Sequence, residues 1–240
     1  MKYLLILSYL LFTSVGWSKD VNYNDLVVKD NLFYEKLADA PFNGDVSGKF
    51  KNTSYIVKGK VIKGKREGVW SYFYESGQLW RKSNFKDDKQ EGESLRYYKS
   101  GELKNKNNWK DGKQEGETLS YYKNGQLGSK SNYKDGKQEG EEFWYYESGE
   151  LNYKFNWKDG KKDGESFEYY KNGQLFIKRT YKEYVKHGEW LSYYKNGQLK
   201  EKRNYKDGLN EGLRFKYYKN GELKEKSIWK GGQLKETIFP

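Results

Sequence analysis

The chain has no cysteine and a single histidine among 240 residues. Without cysteine there is no disulfide framework and no thiolate metal site. One histidine excludes a multi-histidine zinc or iron centre, and neither a cofactor nor a metal is expected. Aliphatic residues are scarce as well: the apolar set is 35% of the chain, and aromatics alone supply 18%. That leaves too little to fill a two-layer α/β core. With 24 Tyr, 12 Phe and 8 Trp, the chain is nevertheless too rich in core-forming side chains to be disordered. Charged residues make up 33%, with 46 basic against 34 acidic for a formal charge of +12. These figures argue against most enzyme classes and for a repetitive surface.

Residues Met1–Ser18 read MKYLLILSYLLFTSVGWS. Lys2 is a positive start, Tyr3 to Val15 an apolar run, and Gly16 and Ser18 are small residues ahead of polar Lys19. This is the pattern of a secretory signal peptide cleaved near Ser18. The run falls short of the roughly 20 residues that span a bilayer, and no later segment is apolar enough to span. An exported chain without cysteine suits a bacterial periplasm, cell surface or secreted fraction.

What the chain has in abundance is a period. Gly68, Gly92, Gly116, Gly140, Gly164, Gly188 and Gly212 are each 24 residues apart, and so are Gly77, Gly101, Gly125, Gly149, Gly173, Gly197 and Gly221. A fixed period of this length marks a repeat architecture. Seven strong repeats run from Gly68 to the C-terminus. The segment 44–67 is a degenerate copy, 19–43 an N-terminal segment and cap, and 1–18 the leader. Leu32-Phe33-Tyr34 and Pro41-Phe42 are the expected cap residues, and Thr237-Ile238-Phe239 the expected C-terminal edge.

Each repeat holds a short aromatic run and a longer alternating one, separated by Lys-Asn-Gly, Lys-Ser-Gly or Glu-Ser-Gly and followed in most repeats by Lys-Asp-Gly. These are strand and turn signals, and the recurring Gly disfavours helix. The fold class is therefore all-β: an elongated, single-sheet antiparallel meander of stacked hairpins. At about 4.8 Å between strands, each repeat advances the sheet by roughly 10 Å.

With the first Gly of a repeat as position 0, the recurring columns select the hairpin. Positions 3 and 5 are mostly Leu or Phe and Tyr, position 11 is Leu, and position 17 is Phe, Trp or Tyr. A three-residue loop ending in Gly pairs 5 with 11 and 3 with 13. That register predicts a type I turn closed by a left-handed Gly. It places 3, 5, 11 and 17 on one face, and Tyr at 6, Lys at 14, Asn at 16 and Lys at 18 on the other. A flat sheet would then expose a long apolar stripe, favouring a dimer or a covering partner.

Three features are candidate sites. The Lys columns include Lys106, Lys130 and Lys154 at position 14 and Lys110, Lys134 and Lys158 at position 18, with acidic residues clustered elsewhere near the second turn. They form either a track for an anionic polymer or lipid or a solvated face that protects edges. Export makes nucleic acid the least favoured polyanion. The Tyr column at position 6 includes Tyr98, Tyr122, Tyr146, Tyr170 and Tyr194. Exposed, it would stack on sugars or grip a protein; alternatively, the two adjacent Tyr of each repeat pack on opposite sides of the sheet. The third feature is the stretch from Thr180 to His187, where Tyr184 stands in place of Gly and His187 in place of an acid, with Trp190 following. Such a break marks a specific contact or drift in one turn. It shows no nucleophile or carboxylate set apart beside the histidine. Paired carboxylates such as Glu115 and Glu117 recur in equivalent surroundings, unlike the divergent pair that glycosidase chemistry needs.

Tyr121-Tyr122-Lys123-Asn124-Gly125-Gln126-Leu127, followed by Tyr133-Lys134-Asp135-Gly136 and Gly140, resembles the MORN-repeat family in its bacterial variant form. The lead-in Ala40-Pro41-Phe42-Asn43-Gly44 is similar to the start of such arrays. The resemblance covers most of the chain and implies a non-enzymatic protein that binds another protein, as a scaffold or as an antitoxin of the YwqK-like kind. Relatives that carry a lipid kinase domain differ, because this chain has no Gly-rich phosphate loop. The predicted leader places any antitoxin role outside the cytoplasm.

Overall fold

The Lys-Asn-Gly loops close the hairpins. In the computed structural model, which describes residues 19–50 and 53–239, Gly125 takes φ 83°. Its N–H donates to the Tyr122 carbonyl at 3.0 Å, and the Tyr122 N–H donates to the Gln126 carbonyl at 2.9 Å. This is a type I turn closed by a left-handed residue, a backbone that glycine adopts without steric cost. Tyr121 then pairs with Leu127, which is position 5 with 11 as predicted. The leader 1–18 lies outside the described residues.

The next pairs depart from expectation. Ser120 faces Ser129 and Leu119 faces Lys130, so position 4 pairs with 13 and position 3 with 14. The same register recurs in every strong repeat. The residue at position 12 is therefore an extra one on the longer strand, a bulge. A one-residue slip turns side chains over to the other face. Positions 1, 3, 5, 11, 14, 16 and 18 lie on one face, here the lysine face, and 2, 4, 6, 12, 13, 15 and 17 lie on the opposite one. The predicted grouping of 17 with 3, 5 and 11, and of Tyr at 6 with the lysines, is overturned by this bulge.

The second turn is a two-residue hairpin loop. Lys134 pairs with Lys137, and Asp135 and Gly136 both have positive φ, 50° and 81°, as a type I′ turn requires. It stacks on the repeat before it: Gly136 N–H donates to the Gln114 carbonyl at 2.9 Å, and Asp135 N–H donates to Glu115 Oε2 at 2.8 Å. Consecutive hairpins pair through Ser129 with Trp144 and Lys130 with Phe143. The ladder thus runs unbroken through a 23-stranded sheet that does not close on itself.

The largest buried apolar cluster sits at the N-terminal end. Strand β1 (Asp20–Asn22) adds in parallel to β4 (Gly44–Lys49), which pairs with β5 (Ile56–Ile62). Gly44 faces Val61, the same offset as Gly68 with Phe85. The small hairpin of β2 (Leu26–Lys29) and β3 (Leu32–Glu35) is tied on by Phe33 N–H to the Gly64 carbonyl at 2.7 Å. Val21, Leu26, Phe42, Val46, Val57 and Val61 enclose Trp70, which is 1% exposed. At the other end Gln233–Ile238 is the last strand and pairs on one side with Leu223–Lys230.

Away from that core, each face covers its own apolar groups. On the lysine face, Lys130 lies between Leu119 and Phe143. The Lys154 ammonium is 5.5 Å from the Phe143 ring centre and that of Lys178 is 5.9 Å from Phe167. The aliphatic stems of these lysines shield the column at position 3. The expected continuous apolar stripe is therefore interrupted by lysine in every repeat.

Candidate functional site

Five of the seven position-14 lysines are ion-paired within their own repeats. Lys106 meets Glu93, Lys130 meets Glu117 at 2.5 Å, and Lys154 meets Glu141 at 2.5 Å. Hydrogen bonding to Glu93 and Glu117 raises the Lys106 and Lys130 ammonium pKa values above the usual lysine range. The predicted segregation of the two signs does not hold on this face, because the bulge puts Glu at position 1 beside Lys at 14. Lys110, Lys134 and Lys158 at position 18 are exposed and carry no ion pair among the described residues.

The tyrosines at position 6 face away from the lysines and are half-buried. In every strong repeat but the seventh, the hydroxyl donates to the main-chain carbonyl of position 5 in the next repeat. Tyr98 reaches Tyr121 at 2.7 Å, Tyr122 reaches Tyr145 at 2.6 Å, and Tyr146 reaches Tyr169 at 2.8 Å. Tyr170 and Tyr194 do the same to Tyr193 and Tyr217, at 3.0 and 2.9 Å. Burial raises the Tyr146 and Tyr170 phenol pKa values. The column is a stitch between repeats rather than a ladder of free hydroxyls.

The irregular turn does not gather its three candidates into one constellation. Tyr184 keeps the left-handed backbone of the glycine it replaces, φ 71°. Its hydroxyl donates to the Gly160 carbonyl at 2.7 Å, and its ring meets Trp157 edge-on at 5.9 Å. These contacts reach back along the array. Trp190 packs within its own repeat and onto the strand before the turn: its ring lies 4.7 Å from that of Tyr205 and 5.7 Å from that of Tyr181, and its indole N–H donates to the Thr180 carbonyl at 3.1 Å. His187 borders an open cleft of about 660 Å³ with Asp159, Asp163 and Lys158. Among the described residues no cluster of three or more His, Asp or Glu is placed to hold a metal.

A further feature lies on the face opposite the lysines. Positions 2, 4, 12, 13 and 15 all point there, and the variation between repeats is concentrated in these columns. Position 2 runs Trp70, Ser94, Thr118, Glu142, Ser166, Trp190, Arg214; position 15 runs Ser83, Asn107, Ser131, Phe155, Arg179, Arg203, Ser227. Asking which columns vary would have found this set without a structure. On this varied face the chemistry changes along the array. Small polar groups such as Ser120 and Ser129, with hydroxyl oxygens 2.6 Å apart, occupy the repeat from Gly116. Trp144, Tyr153 and Phe155 occupy the repeat from Gly140. The last three repeats carry charge, with Arg179–Glu168 at 3.0 Å, Arg203–Glu201 at 2.7 Å and Lys216–Glu225 at 3.0 Å.

The aromatic repeat lines a cleft of about 490 Å³. Glu142, 9% exposed, accepts a hydrogen bond on Oε2 from Trp157 Nε1 at 2.9 Å. The Lys162 ammonium sits 3.5 Å from the centre of the Phe155 ring. Burial lowers the Lys162 pKa, and Glu142 opposes that shift. Tyr153 and Phe155 stack at 5.7 Å with planes 10° apart, and Trp144 is 45% exposed. Gln138 Nε2 is buried there without a hydrogen-bond partner.

No curated protein sequence matches the chain. Among solved structures, a porin-like protein from Bacteroides uniformis aligns over 80% of this chain and 92% of its own, at 8% identity and a TM-score of 0.20. At that score the likeness carries no argument. The MORN repeat variant family matches residues 66–87, 90–111, 114–135, 138–159, 162–183, 186–207 and 210–230. These matches recur at the 24-residue spacing of the hairpins and cover more than half of the sequence, so the chain belongs to the MORN-repeat family as an array of its variant repeats.

Proposed function

We propose that this is an exported, non-enzymatic repeat protein that binds another protein through the varied face, as a scaffold or an antitoxin-like neutraliser. The observation that carries the reading is the concentration of sequence variation in five columns of one face. Columns needed to build the sheet are copied: Leu at 11, Tyr at 6, Gly at 9. Columns that change along the array give each stretch of it its own chemistry, which a specific partner can read. The segment around Trp190, Arg179 and Arg203 has the Trp, Tyr and Arg composition of interface hot spots, and its charges supply the complementarity that fixes register. Export rests on the leader-like character of Met1–Ser18.

A second reading, attachment to an anionic envelope polymer or lipid, is favoured by the exposed lysines at position 18. One experiment separates the two. The full-length chain is crosslinked to envelope and secreted fractions of its source, beside Ser192→Arg on the varied face and Asn204→Arg on the lysine face. Loss of one enriched protein with Ser192→Arg alone supports the protein partner. Equal capture by both variants sinks it. Sedimentation with anionic vesicles that is abolished by salt and by joint replacement of Lys110, Lys134 and Lys158 supports attachment.

A further inference from the structure

We infer that the aromatic cleft of the repeat beginning at Gly140 is a binding site for neutral hexose units of a glycan. This goes beyond the protein-partner reading and stands on its own observations.

The fold does not require the aromatic residues that line it. In the preceding repeat the columns of Trp144, Tyr153 and Phe155 hold Ser120, Ser129 and Ser131, and in the following one Glu168, Ile177 and Arg179. Both repeats keep the same register. Trp144 is among the few large aromatics left substantially exposed, although its neighbours on the same face are stacked. Structural duty therefore explains Tyr122 and Trp157 but not Trp144.

The polar groups select the ligand. The cleft holds one carboxylate, Glu142, and one ammonium, Lys162, so its formal charge is zero. An anion or a cation finds no net attraction there. A purely apolar ligand would leave the Gln138 amide unpaired and would give Glu142 and Lys162 nothing beyond the Trp157 N–H and the Phe155 ring, and under-satisfied buried polar groups are costly. A pyranose ring fits both demands. Its flat C–H face lies on an exposed indole, and its hydroxyls donate to a carboxylate and accept from an ammonium and an amide. The Trp157 indole N–H fixes the orientation of Glu142 before any ligand arrives, which lowers the ordering cost of binding. The cleft volume lies within the ordinary range for small-ligand sites, about 300 to 1,000 Å³.

The test is saturation-transfer NMR and calorimetry of the full-length chain with cellohexaose, maltohexaose and chitohexaose. The expected result is saturable binding of at least one of them, with saturation passing to ring C–H protons. Affinity should be unchanged between low and high salt, because the ligand is neutral. Trp144→Ala and Glu142→Gln should each weaken it by about tenfold or more. Trp144 is exposed, so Trp144→Ala retains the wild-type circular dichroism and melting temperature, which separates lost binding from lost folding. No saturable binding of any of the three at millimolar concentration overturns the inference. So does binding that Trp144→Ala leaves unchanged, or binding that salt abolishes. Ser192→Arg, two repeats away, leaves sugar binding intact, so failure here and failure of the protein-partner reading are distinguishable.

Discussion

The hydroxyl of Tyr122 donates to the carbonyl of Tyr145, 2.6 Å away and 23 residues further along the chain. The donor belongs to one repeat and the acceptor to the next. The bond therefore adds to the coupling between neighbours on which a repeat array depends for stability.

Tyr122→Phe removes that bond and leaves a half-buried carbonyl with one partner fewer. The expected cost is about 1 kcal/mol. Tyr218 supplies the control: it holds position 6 in the seventh strong repeat, is 48% exposed, and its hydroxyl makes no hydrogen bond among the described residues. Tyr218→Phe should be neutral. The measurement is the urea midpoint of each variant; equal shifts would show that the hydroxyl does not couple repeats.

Gly59 lies beneath the indole of Trp70. A Cβ built there would stand 2.3 Å from Trp70 Cδ2 and 2.4 Å from Cε2. Trp70 cannot withdraw easily, because its Nε1 donates to the Lys60 carbonyl at 3.1 Å and its ring is enclosed. Gly59→Ala should destabilise the N-terminal core by about 1–3 kcal/mol through overpacking. In a Trp70→Phe background the penalty should shrink, giving a coupling of about 0.5–3 kcal/mol. Strict additivity would show that the ring is not what excludes the methyl group.

Stability should fall in alkali. Burial raises the phenol pKa values of Tyr133 and Tyr181, and burial followed by the nearby Glu168 raises that of Tyr153. Lys106 and Lys130 are raised by their Glu partners. For a group whose folded pKa lies above its unfolded one, the native state holds the proton more tightly. Its contribution is complete below the unfolded value, about 10 for Tyr and 10.4 for Lys, and is lost as pH rises through the folded value. Urea midpoints measured from about pH 8 to pH 11 should decline chiefly above pH 10. The lysine share is exposed and weakens with salt, whereas the tyrosine share does not. A flat profile would contradict the burial of the tyrosines.

The lysine and tyrosine columns were legible as columns but not as faces. Leu127, Lys130 and Tyr133 recur at fixed offsets, and Lys-Asn-Gly announces its own turn. The residue that decides the faces has no such signature. Position 12 is Trp80, Lys104, Gly128, Asn152, Phe176, Lys200 or Lys224, and any of them serves as the extra residue of a bulge. Grouping the apolar columns on one face assumed a single buried side. This sheet has two half-covered sides, with Leu119 under lysine stems on one and Tyr205 against Trp190 on the other. The varied columns were legible in principle, since they are the positions at which the repeats disagree.

The sequence by itself determined the period, the hairpin, the turn chemistry and the family, because glycine at fixed offsets allows few backbones and recurring residues declare their spacing. Only the tertiary structure decided what each column faces. One bulged residue per repeat turns the long strand over, pairing Lys130 with Glu117, engaging the Tyr122 hydroxyl with the next repeat, and bringing Glu142, Trp144 and Phe155 together on one surface. A period-two pattern cannot specify that choice, because the two registers differ by a single residue and only packing tells them apart.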